Sequence, residues 1–452
     1  MQIQFLGATQ TVTGSKYFIK TEKTNILVDC GLFQGYKELR LKNWAPLPIS
    51  PAEIDYLLLT HAHIDHSGYI PLLVKNGFHG KIICTEATRD LCKILLPDSG
   101  HLHEEEARYA NLKGYSKHQP ALPLYTKAEA EASLSFFHTA PFETKLKLDN
   151  NTHCSFHYAG HILGASLVRI EDHNTSILFS GDLGRSVDPI MYPPKNPPMS
   201  DYLVIESTYG NRLHSTIDPK ILLSDIINKT AKKGGVVLIP SFAVGRAQMI
   251  LYYLYQLKLE NKIPNIPIFI DSPMTTDATK LFALHAQEHR LSAKEAMAVC
   301  QAAQYTHTVE ESKSLNNKNM PMIIISASGM ATGGRILHHI NNFGQSHKNS
   351  IIFCGYQSNG TRGNLLVHGA EKIKIFGQMV SIHAKVFQLE NMSAHADYAE
   401  MLTWLSKLKE APKKIFITHG ENEASESLKE KIEERFRWHC LIPNYGYSET
   451  LT

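Results

Sequence analysis

The chain has 452 residues, 43% of them hydrophobic and 20% charged, with a net charge of +3. That is enough apolar material for two or three packed domains, or for one domain carrying a large insertion, and it excludes a globally disordered chain. No apolar run reaches the ~18 residues that span a bilayer, so no membrane partner is expected. The start, Met1-Gln2-Ile3-Gln4-Phe5-Leu6-Gly7, lacks a basic n-region and a long apolar stretch, which makes the cytoplasm the expected compartment.

Met1–Leu6 alternates apolar and polar residues and predicts a strand. Tyr17–Ile19 and Asn25–Asp29 flank the polar turn Thr21-Glu22-Lys23-Thr24 and predict a hairpin. Ile54–Thr60 predicts a buried strand that runs straight into a histidine-rich loop. Gly68–Asn76 has helical character, and Lys81–Thr85 is again a strand. The stretch 86–145 is polar and helix-forming, with little β pattern. Strands follow at Ser155–Ala159, Ser166–Ile170 and Thr175–Ser180, then a proline-rich loop at Pro189–Pro198 and a strand at Asp201–Glu206.

After about residue 208 strand and helix alternate. Gly235–Pro240 leads into a helix over 246–258, Ile266–Ile270 into one over 277–286, and Met322–Ile325 into one over 335–341. Serial strand–loop–helix units predict a doubly wound parallel sheet, with ligands at the carboxyl ends of its strands. The segment 385–452 returns to short strands, notably Lys414–Thr418, and a helix over 423–437.

Seven cysteines are widely spaced with no C-x-x-C pair, so they read as small buried hydrophobes in a reducing compartment. Histidine is abundant, at 24 residues, and its positions carry more than its number. The densest cluster is His61-Ala62-His63-Ile64-Asp65-His66, directly after the buried strand. Four ligand-type side chains in six residues are too many for packing and suit two metals served from one loop. One loop cannot complete two sites. His161, Asp182 and His419, each just past a strand, supply the remaining ligand types. Two side clusters read otherwise. His101-Leu102-His103-Glu104-Glu105 lies in a helix-forming stretch as a solvated or substrate-facing surface, and Tyr252-Tyr253-Leu254-Tyr255 reads as helix packing.

In this order, His61-x-His63-x-Asp65-His66, His161, Asp182 and His419 resemble the metal-binding motifs of the metallo-β-lactamase superfamily. More narrowly, the chain resembles the β-CASP nucleases. Asp29 in Leu27-Val28-Asp29-Cys30-Gly31 matches the aspartate that braces the histidine loop, Glu206 in Glu206-Ser207-Thr208-Tyr209-Gly210 matches motif A, His395 matches motif B and His419 motif C. The resemblance implies an αββα sandwich from residues 1–207 and 385–452, with 208–384 as an inserted β-CASP domain that caps the metals. It implies two zinc ions per chain. His61, His63, His161 and Asp182 would hold one; Asp65, His66, Asp182 and His419 would hold the other, with Asp182 bridging. It also implies that Asp65, Glu206 and His395 serve catalysis, with His395 as general acid or phosphate contact oriented by Glu206, and that the substrate is RNA.

The chemistry agrees. Two metals acidify water and stabilise charge on a phosphodiester, and an imidazole raised by a neighbouring carboxylate suits proton delivery to the leaving oxygen. Residues 208–384 carry 18 Lys/Arg against 10 Asp/Glu, a basic excess that suits a polyanion. Ser241 with Arg246, Ser328-Gly329 with Arg335, and Arg362 mark three loops able to contact phosphates; Arg335 and Arg362 alternatively form structural pairs. The expected function is therefore a zinc-dependent ribonuclease, expected to cut internally. A small-molecule metallohydrolase such as a thioesterase or lactonase, an RNA-binding scaffold without catalysis, and a diiron redox protein are the alternatives. No extra RNA-binding domain is visible, so affinity is expected from the cleft or from a homodimer.

Overall fold

Side chains alternate between buried and exposed along Gln2–Phe5, which pairs antiparallel with Tyr17–Lys20, and that strand turns back onto Asn25–Val28. The turn closes where Thr24 N donates to Thr21 Oγ1 at 3.0 Å. The computed structural model describes residues 1–114, 116, 118–173 and 175–452. Within it the hairpin belongs to a seven-stranded sheet ordered Ser448–Thr450, Gln2–Phe5, Tyr17–Lys20, Asn25–Val28, Tyr56–Leu58, Lys81–Cys84 and Phe137–Thr139. The last of these strands departs from the helical expectation for 86–145. That stretch does hold the helices Glu86–Lys113 and Lys127–Ser133, but the three residues Phe137–Thr139 pair in parallel with Lys81–Cys84.

A second seven-stranded sheet runs Cys440–Leu441, Lys414–Thr418, Tyr202–Glu206, Thr175–Phe179, Ser166–Asp172, Thr152–Tyr158 and Leu146–Lys147. Ile3, Phe5, Ile19, Val28 and Leu58 of the first sheet share one buried cluster with Phe156, Val168, Ile170, Phe179, Val204 and Phe416 of the second. Burying this layer is the main stabilising term of the sandwich. Strands Thr152–Tyr158, Thr175–Phe179, Tyr202–Glu206 and Lys414–Thr418 point the same way, because each neighbouring pair is parallel or related through the antiparallel Ser166–Asp172. Their carboxyl ends therefore lie at one edge.

The chain divides into two units, Met1–Leu213 with His395–Thr452, and His214–Ala394. The second unit is built on a parallel six-stranded sheet ordered Gln304–Tyr305, Ile268–Ile270, Met322–Ser326, Val236–Pro240, Ser350–Cys354 and Lys385–Leu389. Its central strands are buried at every position, as a sheet covered on both faces requires. Lys385–Leu389 pairs in parallel with Ser350–Cys354. No helix among the described residues is long and apolar enough to cross a membrane.

Candidate metal centre

Tyr56–Leu58 ends in Leu59 and Thr60, and the chain then leaves the sheet as His61–His63 before the short helix Ile64–Ser67. The loop is gripped by backbone. Cys30 N donates to His66 O at 2.7 Å, Leu32 N to Ile64 O at 2.9 Å and Ser15 N to Asp65 O at 2.9 Å. The approach demands glycine at 31, since a Cβ there would fall 1.6 Å from Asp65 O. Behind it the fully buried Lys16 ammonium donates to Gly31 O and lies over the rings of Phe33 and Tyr69, 4.7 and 4.6 Å from their centroids.

His161 follows Thr152–Tyr158, Asp182 follows Thr175–Phe179 and His419 follows Lys414–Thr418. All three converge on the loop. Around Asp182 Oδ2, His61 Nε2 lies at 3.3 Å and His161 Nε2 at 3.5 Å. His63 Nδ1 lies 3.2 Å from His61 Nε2 and 3.3 Å from His161 Nε2. On the other side, His66 Nε2 is 3.2 Å from Asp182 Oδ1 and 3.1 Å from His419 Nε2, and His419 Nε2 is 3.4 Å from Asp65 Oδ2. These residues form two donor groups, His61–His63–His161–Asp182 and Asp65–His66–His419.

The spacing fits metal ions. Four ligands at 2.0–2.1 Å around a tetrahedral ion stand about 3.3–3.4 Å from one another, and the distances above cluster there. Asp182 Oδ1 is buried with no hydrogen-bond partner, a state that is costly without an ion. The donors are imidazole and carboxylate, which suits zinc and similar transition ions.

Proton placement agrees. Burial, with the neighbouring His61, pushes His63 down to about 3. Burial and His66 lower His61, and burial and His395 hold His161 well below its usual value. These rings are neutral and carry lone pairs. Burial alone would raise Asp182, but the His419, His66 and His61 imidazoles outweigh it and keep the carboxyl ionised. Burial opposes a charge on His66 too, yet Asp182 and Asp29 push that ring well above its usual value, so a proton competes with a metal there.

Surrounding hydroxyls and Asp29 fix which nitrogen faces inward. Asp29 Oδ2 accepts from His66 Nδ1 at 2.7 Å and from Thr60 Oγ1 at 2.9 Å. Thr60 Oγ1, its proton spent on Asp29, can only accept from His61 Nδ1 at 3.1 Å. Thr208 Oγ1 donates to His419 O at 3.1 Å and so accepts from His419 Nδ1 at 3.2 Å. In each case Nδ1 carries the proton and Nε2 turns its lone pair toward the shared centre. Thr60 and Thr208 were not singled out from sequence. Their only signal is a hydroxyl beside a ligand or beside Glu206.

Glu206 ends Tyr202–Glu206 and is buried. Its carboxylate accepts from Leu183 N at 2.6 Å, Thr208 N at 3.3 Å and His395 Nδ1 at 3.1 and 3.2 Å. The His395 ring lies 4.6 Å from that of His161, centroid to centroid. Burial disfavours the imidazolium, but Glu206 and Asp182 outweigh it and raise His395 above its usual value.

The other expected residues lie in the second unit. Arg335 Nη1 sits 2.7 Å from the fully buried Asp271 Oδ1, and Arg362 donates to the carbonyls of Lys374, Ala331 and Thr332. Both make the structural pairs weighed from sequence. Arg246 is buried and donates to Cys354 O at 2.9 Å. Ser241 Oγ donates to Phe242 O, and Ser328 Oγ accepts from Thr332 N and Gly333 N. Gly329 packs so that a Cβ would meet Phe242. His103 packs on Tyr125, with ring centroids 5.0 Å apart, while Tyr253 and Leu254 are buried within their helix.

The chain is similar to known proteins. The metallo-beta-lactamase superfamily matches residues 11–215, the Beta-Casp domain 247–366, and the Zn-dependent metallo-hydrolase RNA specificity domain 379–443. Ribonuclease TTHA0252 of Thermus thermophilus is 34% identical over 431 residues, covering 94% of each chain. Transcription termination factor FttA of Methanocaldococcus jannaschii is 27% identical over 466 residues, covering 98% of this chain and 70% of its own. Cleavage and polyadenylation specificity factor 73 of Drosophila melanogaster is 28% identical over 443 residues, covering 96% of this chain and 62% of its own. A crystal structure of a protein of unknown function from Enterococcus faecalis superposes with a TM-score of 0.56 at 12% identity, over 100% of this chain and 99% of that one, a likeness of fold.

Proposed function

Since the chain belongs to the β-CASP family of the metallo-β-lactamase superfamily, whose members bind divalent metal, we propose that it is a ribonuclease that uses two zinc ions to hydrolyse internal phosphodiester bonds of RNA. Asp182 carries the proposal, because its two carboxylate oxygens each face a separate imidazole cluster. His61, His63, His161 and Asp182 would hold one ion, and Asp65, His66, His419 and Asp182 the other. Bound there, such ions acidify water and offset charge on a phosphodiester. The match to an RNA specificity domain over 379–443 and the name of the Thermus relative support RNA as substrate.

The chain's own residues supply the proton. Water gives up one proton to solvent as its oxygen bonds to phosphorus, the bond from phosphorus to the leaving ribose oxygen breaks, and that oxygen needs a proton. Glu206 accepts from His395 Nδ1, which leaves Nε2 as the atom that delivers it. Charge on Glu206 and Asp182 favours the imidazolium, so the donor is loaded near neutral pH.

The test is digestion of RNA labelled at either end, with metal analysis of the same preparation. Cleavage to internal fragments that is lost in His63→Ala and Asp182→Ala, with about two zinc ions per wild-type chain, is expected. Full activity in either variant would falsify the two-metal assignment. A preparation that binds RNA but holds no metal favours the scaffold, and turnover of thioesters but not RNA favours the small-molecule hydrolase.

A further inference from the structure

We propose that Glu400 is a positioning residue that locks the His395 loop onto the loop following Asp182; this rests on His395 being the proton donor. His395 begins the segment returning to the sandwich unit. Two backbone contacts tie it there, a bridge between Gly184 and His395 and a bond from Ala396 N to Leu183 O at 2.8 Å. Glu400 adds the side-chain clamp. It stands on the first turn of helix Tyr398–Leu405, where it closes a capping box with Asp397.

A capping box needs one oxygen of the glutamate. Here Oε2 serves it, accepting from Asp397 N at 3.1 Å. Oε1 reaches across to the other loop and accepts from Ser186 N at 2.9 Å and Ser186 Oγ at 2.7 Å, while Arg185 Nε lies 3.5 Å from Oε2. One carboxylate, 15% exposed, thus spans both loops. The bridged loop also supplies Leu183 N, which holds Glu206 at 2.6 Å, and Glu206 holds His395. Glu400 therefore fixes the relative place of proton donor, its carboxylate partner and Asp182 without facing the centre itself.

The experiment compares Glu400→Ala, Glu400→Gln and Ser186→Ala in the full chain loaded with zinc. Readouts are kcat and KM on RNA, bound zinc, melting temperature, and the downfield imidazole proton of His395 Nδ1, assigned by its loss in His395→Ala. Glu400→Ala is expected to lower kcat roughly ten- to a hundredfold, as small misplacement of a reacting group does, with KM and zinc content near wild type and the Nδ1 proton lost to exchange. Glu400→Gln, which keeps one acceptor, should recover part of kcat, and Ser186→Ala should lose part. A lowered melting temperature with unchanged kcat and an intact Nδ1 signal would show a helix cap and nothing more, and would overturn the proposal. If Glu400→Ala fails to fold, the other two variants decide it on the same readouts. If the wild-type chain leaves RNA intact, the ribonuclease assignment fails alone, and the Nδ1 signal still judges Glu400.

Discussion

His66 Nδ1 and Asp29 Oδ2 stand 2.7 Å apart with both side chains buried. The same carboxylate takes the Thr60 hydroxyl and, through it, sets the proton on His61. One aspartate outside both donor groups thus orients an imidazole in each. In Asp29→Asn the amide nitrogen must face either Thr60 N, which donates to Oδ1 at 2.8 Å, or the His66 and Thr60 side-chain donors at Oδ2, so the bracing of the rings is disturbed. Metal affinity is expected to fall about 10–100-fold, measured by competition with a chromophoric chelator, while excess zinc restores activity. Unchanged affinity would show that the rings orient themselves.

Thr208 acts on one donor group alone. Its hydroxyl donates to His419 O and accepts from His419 Nδ1. Thr208→Val keeps the volume and removes the acceptor. Zinc held with His66, Asp65 and His419 is expected to weaken about tenfold while the ion with His61, His63 and His161 stays, giving a two-step titration where wild type gives one. Thr208→Ser should behave as wild type. Equal weakening of both ions would refute the separation.

His395 sits above its usual value because Glu206 and Asp182 overcome burial. As a proton donor it works protonated, so kcat falls as pH rises through its pKa. Glu206→Gln removes the larger charge, lowers that pKa and moves the falling limb to lower pH. The variant should lose more activity at pH 8 than at pH 6. His395→Ala should lose about 10²–10⁴-fold and have no such limb. A limb at the same pH in Glu206→Gln would assign it to another group.

The residues of the two donor groups were legible because ligand-type side chains crowd one loop and others follow strands directly. Of what orients them, Asp29 was named through the resemblance, whereas the hydroxyls of Thr60 and Thr208 and the clamp on the His395 loop were not. Ser186 and Glu400 are 214 positions apart, and only the fold joins them. Arg335 was visible as a cation beside glycines, but its partner Asp271 lies 64 positions away, and a cation's pattern does not reveal whether it is already paired. The strand Phe137–Thr139 was missed for a related reason: two of its three residues are exposed, so pairing with Lys81–Cys84, not its own pattern, makes it a strand.

Asp271 also has consequences for stability. Its side chain is fully buried, with Arg335 Nη1 at 2.7 Å, His339 Nε2 at 2.6 Å, Ser312 Oγ at 2.5 Å, and the Thr306 hydroxyl donating as well. Burial alone would raise this carboxyl, but the bonds from His339, Ser312, Thr306 and Arg335 hold it well below the usual range. Such a group binds fewer protons folded than unfolded. The stability it lends is complete above the unfolded aspartate pKa of about 3.9 and drains away as pH falls from there toward its folded value. Asp271→Asn leaves the fully buried His339 and the half-buried Arg335 without their carboxylate and should cost about 3–5 kcal/mol at neutral pH. The loss should appear in hydrogen exchange of the strands Ile268–Ile270 and Met322–Ser326. Below about pH 4 wild type should approach the variant, because Asp271 of the unfolded chain takes up a proton there while the folded one stays ionised. A gap between the two that stays constant from pH 7 to pH 3 would mean that Asp271 contributes through shape and not through its charge.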